Sequence, residues 1–128
     1  MSNWQDYGDH ARSKGVLGKQ LFMVRSKPAV PLDTLGEQLP PHLAYQKQLE
    51  DEGTLVFAGP LSDSSGQDWS GEGLIIYRAG SIDEARQIAD ADPMHANGLR
   101  TYEVRAWLLN EGSLNVSLSL STQKLTFG

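Results

Sequence analysis

Residues Thr54–Arg78 read TLVFAGPLSDSSGQDWSGEGLIIYR, and the topology turns on them. Thr54–Ala58 is a short, apolar, β-prone run closed by Gly59-Pro60, and Leu74–Arg78 is a second one. Between them, residues 62–73 are rich in Ser, Gly and Asp, a composition that makes a loop and a poor helix. Two strands therefore follow one another with no helix between them. A doubly wound parallel sheet would need a crossover helix at this point.

The flanks supply the remaining elements. Upstream, Gln20–Arg25 (QLFMVR) is a β-prone run ended by Pro28 and Pro31. Leu35, Leu39, Leu43, Gln46 and Leu49 then recur at roughly helical spacing. Pro40-Pro41 interrupts that pattern, which predicts a short helix or turn first and a fresh helix from about Pro41 to Gly53. Downstream, Ser81 with Glu84 is a capping-box signature, followed by Ile82, Ala85, Ile88 and Ala89 on one helical face. Asp92-Pro93 and Gly98 punctuate its end, and Tyr102–Leu109 alternates as a fourth strand. The order is β-α-β-β-α-β, the ferredoxin-like arrangement of an α+β domain. Residues 1–18 read as a loose arm that Trp4 and Tyr7 could pin locally. Residues 19–110 are the domain and residues 111–128 an extension. Within it, Leu114, Val116, Leu118 and Leu120 alternate with polar residues and predict one extra strand.

The 128 residues suit a single domain, and 39% are apolar, enough for a packed core. No stretch approaches the roughly 18 apolar residues of a membrane helix. Met1–Lys19 has no apolar signal-peptide core, which points to the cytoplasm. There is no Cys, hence no thiolate chemistry and no disulfide framework. A net charge of −5 without a basic cluster argues against nucleic acid as a partner.

Strand alternation predicts a homodimer. With both helices on one face of a four-stranded sheet, the other face holds Leu21, Met23, Arg25, Leu55, Phe57, Gly59, Glu103, Arg105 and Trp107. Such a face is too apolar for water yet carries charges, and exposed patches of that kind mark interfaces or ligand sites. Two sheets closing on one another would bury it around a mixed cavity. The alternative is a cover provided by the arm or the tail.

Chemistry-bearing residues are few. There is no Walker loop, dinucleotide fingerprint or nucleophile elbow, and His10, His42 and His95 are too scattered for a metal-ligand spacing. His42 sits at an expected helix start, where the dipole disfavours an imidazolium. A neutral imidazole there is either a general base or an exposed residue with no role. Asp92 before Pro93 is explained as the N-cap of a short turn. Gly59-Pro60 is either a strand-ending turn or a place where backbone approaches a ligand.

The segments His42-Leu43-Ala44-Tyr45, Leu49-x-x-x-Gly53, Ala58-Gly59-Pro60-Leu61, Ser81-x-x-Glu84-Ala85, Ala91-Asp92-Pro93 and Val104-Arg105-Ala106-Trp107 resemble, in order and spacing, the YCII-related family. The resemblance covers about residues 19–109. It implies a dimeric α+β barrel and a paired His and Asp, matched by His42 and Asp92, in a pocket between sheet and helices. It also implies proton chemistry on small, oxygenated, ring-like compounds.

The leading expectation is a cofactor-independent lyase or isomerase acting on a small-molecule ligand. His42 takes a proton and Asp92 steadies the imidazolium. Arg25 or Arg105 stabilises a developing oxyanion, Phe57, Tyr77 and Trp107 stack on a flat substrate, and Gly59 gives backbone access. No organic cofactor or metal is needed. The competing expectation is a non-catalytic ligand-binding or oligomer-assembly module, which would not require His42 and Asp92 to meet.

Overall fold

The computed structural model describes residues 3–128, and the chain divides into two compact units. One is Gln20–Leu108; the other is formed by the two ends of the chain.

The larger unit has the predicted order. Strand β1 (Lys19–Pro28) leads through two single 3-10 turns, Leu32–Thr34 and Gly36–Gln38, to helix α2 (Leu39–Asp51), the helix α1 lying upstream at Trp4–Ser13. Strands β2 (Leu55–Pro60) and β3 (Gly73–Tyr77) follow, then α3 (Ile82–Asp90), the single turn α4 (Pro93–Ala96) and β4 (Arg100–Leu109). The sheet order is β2-β3-β1-β4, with β3 antiparallel to both of its neighbours. This is the ferredoxin-like α+β arrangement.

Local chemistry explains the boundaries. Pro40 and Pro41 fall within the first turn of α2, where a missing N–H costs nothing. Gly53 stops the helix at φ 79, a left-handed conformation that suits glycine. Ser81 caps α3 by accepting from the Glu84 N–H at 3.1 Å. The Glu84 carboxylate reaches back to the Gly80 N–H at 2.9 Å, one residue beyond the usual box partner, the N-cap N–H.

Val24, Leu49, Ile75, Tyr77 and Ala89 form the buried core that joins the two central strands to α2 and α3. Tyr45 Oη donates to the Ile88 carbonyl at 2.7 Å, tying the two helices together. Along β4, Glu103, Arg105 and Trp107 are exposed while Val104 packs against the core, as the alternation predicts. Leu21 departs from that pattern. It was expected on the open face but is only 2% exposed, so the apolar face left to solvent is smaller than the sequence predicts.

The two ends differ from expectation. The sequence predicts a loose arm over residues 1–18; the first two lie outside the described residues, and Trp4–Ser13 is a helix. Asn3 caps it, Asp9 pairs with Arg12 at 2.8 Å, and the rings of Trp4 and Tyr7 stack 6.3 Å apart. These local interactions lie at i,i+3 spacing rather than in an apolar stripe, so the periodicity missed them. The tail holds the expected strand as β5 (Val116–Ser119), but a second strand, β6 (Lys124–Phe127), folds back on it as a hairpin. Among the described residues, no helix is long and apolar enough to cross a membrane.

Candidate functional site

Asp92 sits in a tight junction. α3 ends at Asp90, and Asp92 takes an extended backbone as the N-cap of α4. Its Oδ1 accepts from the Met94 N–H at 3.0 Å, the capping role read from Asp92-Pro93. The same carboxylate does a second thing. His42 Nδ1 lies 2.7 Å from Oδ2 and 3.0 Å from Oδ1. Asp92 is fully buried, while the His42 side chain keeps 17% of its surface open.

An ionised carboxylate only accepts hydrogen bonds, so Nδ1 carries the hydrogen and Nε2 keeps its lone pair. Among the described residues Nε2 has no partner. The residue lines a cavity of about 520 Å³ between the first turns of α2, the preceding 3-10 turns and the ends of β2 and β3. The walls are mainly apolar, with Leu35, Leu39, Leu43, Leu74, Ile75 and Met94 prominent. A bulge in β2 between Leu55 and Phe57 shifts the register. Beyond it Ala58, Gly59 and Pro60 all line the cavity. A Cβ on Gly59 would meet no other group within 4 Å, which leaves that stretch of wall as bare backbone facing open space.

A second polar chain reaches the same cavity. Arg100 Nε donates to Ser26 Oγ at 2.8 Å, and Ser26 Oγ lies 2.8 Å from His95 Nε2. His95 Nδ1 lies 2.8 Å from the Ala89 carbonyl, which can only accept. Neutral His95 is therefore protonated on Nδ1, and Ser26 donates its hydrogen to Nε2. Burial pulls the His95 pKa down; the Ala89 carbonyl and the Asp92 charge pull the other way, and Arg100 and His42 add to the lowering. Arg100 Nη2 also donates to the Ser26 carbonyl at 3.1 Å and to the Gly71 carbonyl. Gly71 is at φ +101 with Pro28 and Leu32 packed where a Cβ would go, so glycine is required there.

The residues expected at the site divide sharply. His42 and Asp92 are brought together, and Gly59 lines the cavity. Five others lie elsewhere. Arg25 points with the outward phase of β1 and is bound to Glu72 at 2.9 Å. Phe57, Arg105 and Trp107 occupy the exposed phase of their strands, away from the helices. Tyr77 is in the core beneath α2 and α3, its Oη buried with no hydrogen-bond partner among the described residues. Burial raises its pKa, far from a role as a proton donor. Ser26, His95 and Arg100 were not anticipated. The signal was present: Ser26 continues the buried phase Phe22, Val24, and Arg100 continues the inward phase Val104, Tyr102.

The lowered His95 pKa makes stability depend on pH. The native state favours neutral His95, so above the ordinary value of 6.5 its contribution is fully present. As pH falls below 6.5 the unfolded chain takes up the proton first, and the contribution is lost as pH passes the lower native value. Urea unfolding from about pH 8 to about pH 5 should show a steeper loss of stability for the native chain than for His95→Gln. Equal slopes would contradict a buried, neutral His95.

Comparison with known proteins places the domain. The YCII-related domain matches residues 19–108. The uncharacterized protein YjpA of Bacillus subtilis is 31% identical over 75 residues, 59% of this chain and 81% of YjpA. A solved structure of 5-chloro-2-hydroxyhydroquinone dehydrochlorinase (TftG) from Burkholderia phenoliruptrix, in complex with 2,5-dihydroxybenzoquinone, superposes with a TM-score of 0.55 at 26% identity. That match covers 68% of this chain and 92% of TftG. From residue 19 to residue 108, this chain belongs to the YCII-related family.

Proposed function

We propose that this protein is a lyase or isomerase that uses His42 as a proton-transfer group on a small, oxygenated, ring-like compound. The carrying observation is the His42–Asp92 pair. A fully buried carboxylate holds Nδ1 at 2.7 Å while the unpartnered Nε2 belongs to a residue lining a 520 Å³ cavity. Asp92 fixes the tautomer and the ring orientation, and it stabilises the imidazolium that forms when Nε2 takes a proton. The similarity to a dehydrochlorinase bound to a dihydroxybenzoquinone supports a flat, oxygen-bearing substrate. In the elimination version the substrate reacts as a keto tautomer whose chlorine-bearing carbon has gained a hydrogen and become tetrahedral; an O–H or C–H proton then passes to Nε2, and the freed electron pair moves through the conjugated system to expel chloride. In the isomerase version the same proton returns to a different carbon. Both are redox-neutral, and this chain's own groups suffice for the proton movement.

Assay in D2O with 5-chloro-2-hydroxyhydroquinone separates the versions: chloride release reports elimination, and deuterium incorporation without chloride release reports proton return. The native chain should accelerate at least one of them. His42→Gln should lose about 10²–10⁴-fold, the usual worth of a positioned general base. A His42→Gln variant as fast as the native chain would remove the proposal.

We also infer a homodimer formed through the sheet face away from the helices. Phe57 and Trp107 on that face are 48% and 39% exposed, beside Arg105 and Glu103. The tail hairpin adds exposed Leu118 and Phe127, which favours association by the ends as well. Light scattering at micromolar concentration should report at least two chains for the native protein, and Trp107→Glu should shift it toward one. A native monomer would contradict the dimer.

A further inference from the structure

The cavity has a second pole. Arg100 lines it, at the first position of β4. Three of its five N–H groups are committed: Nε to Ser26 Oγ, and Nη2 to the carbonyls of Ser26 and Gly71. These bonds fix the guanidinium plane. Nη1 has no acceptor among the described residues, and no carboxylate there forms an ion pair with Arg100. The acidic group on the wall, Glu72, is paired with Arg25 at 2.9 Å. Asp92 is close enough to act electrostatically on Arg100, but it is fully buried and hydrogen-bonded to His42.

A half-buried guanidinium braced by neutral acceptors, with no carboxylate in hydrogen-bonding contact, suits an anion that approaches its free donors. Both remaining N–H donors sit on Nη1 and diverge, so one of them can reach a single oxygen of an oxyanion. The Leu- and Met-rich walls suit an apolar or aromatic body. His42 lines the same cavity. We propose that Arg100 is a substrate-positioning residue that binds the anionic oxygen of a small organic monoanion, a carboxylate or acidic phenolate on an apolar body, and so presents the body to His42. This deepens the proton-transfer reading by naming its substrate class. It rests on that reading only in taking the cavity to be a small-molecule site.

Two physical consequences follow. An anion bound by Nη1 is held through a charge-assisted hydrogen bond, roughly twice as strong as a neutral one, in a cavity that screens it poorly. The brace through Ser26 and Gly71 means that little side-chain entropy is lost when the anion arrives.

Binding can be measured without turnover, so failure of the anion site and failure of proton transfer are distinguishable. The probes are benzoate, 4-nitrophenolate and the neutral benzamide, each titrated into the full chain by calorimetry and by amide NMR shifts. Benzoate or 4-nitrophenolate should bind at least about tenfold tighter than benzamide, with shifts centred on Arg100 and Ser26. A preference for benzoate assigns a carboxylate, and a preference for 4-nitrophenolate assigns a phenolate. Arg100→Gln should abolish the preference for anions. Because this variant also breaks the brace, Arg100→Lys provides the second arm: it retains the charge and should keep a weakened preference. Arg86→Gln, which removes an exposed positive charge on α3 outside the cavity, should bind the anion as the native chain does. Equal binding of benzoate, 4-nitrophenolate and benzamide, no binding of any of them, or an anion preference that survives in Arg100→Gln would overturn the proposal.

Discussion

A fully buried carboxylate has to be answered by its surroundings, and the arrangement around Asp92 follows from that. A lone ionised carboxyl in an apolar interior is strongly unfavourable, so Asp92 persists only where donors converge. Two do: the Met94 N–H at the start of α4 and the His42 Nδ1–H from the first turn of α2. One comes from the next helix in sequence and the other from a helix 50 residues earlier. Asp92 therefore pins the start of α2 to the α3–α4 junction, and the cavity lies beside that joint. Removing either partner would leave the other's polar group buried and unmatched, which costs more than the pair itself contributes.

The cavity exists because regular structure is broken beside it. Pro40-Pro41 forces α2 to start afresh after two 3-10 turns, and those turns supply Leu35 and Gly36 to the wall. The β2 bulge turns Ala58, Gly59 and Pro60 together toward the opening. The Arg100–Ser26–His95 chain then crosses from β4 through β1 to α4, giving the far wall a fixed polar edge. An apolar space results, with an imidazole lone pair on one wall and a guanidinium on another.

Much of this was legible in the chain. The Ser/Gly stretch of residues 62–73 settled the topology, because a loop of that composition cannot serve as a crossover helix. Pro40-Pro41, Gly53 and the Ser81–Glu84 pair set helix ends through local sterics and hydrogen bonding, which depend on few residues. His42 and Asp92 were found through family resemblance; from residues alone, Asp92 read as an N-cap. That reading was sound but incomplete, since one carboxylate serves as both cap and partner. The expected residues that lie away from this cavity share a cause. Arg25, Phe57, Arg105 and Trp107 were placed at the site because a mixed apolar and charged face suggests a ligand, yet the cavity lies on the helical side of the sheet. Tyr77 lies in the core, and an aromatic ring with a hydroxyl looks the same in sequence whether it stacks on a substrate or fills a core. Ser26 and Arg100 were missed because the first strand was ended at Arg25 and the fourth begun at Tyr102. Extending each by its own period of two would have put a hydroxyl and a guanidinium on the inward face.

The central claim is that Asp92 holds His42 in one tautomer with Nε2 free for a proton. Long-range 15N–1H correlation of the His42 ring, at a pH where the ring is neutral, tests it directly because the two nitrogen types resonate far apart. The account predicts a protonated Nδ1 and an unprotonated Nε2 in the native chain, with that bias weakened in Asp92→Asn, whose side-chain amide can also donate. A native His42 carrying its hydrogen on Nε2, or exchanging between tautomers as a free histidine does, would contradict it.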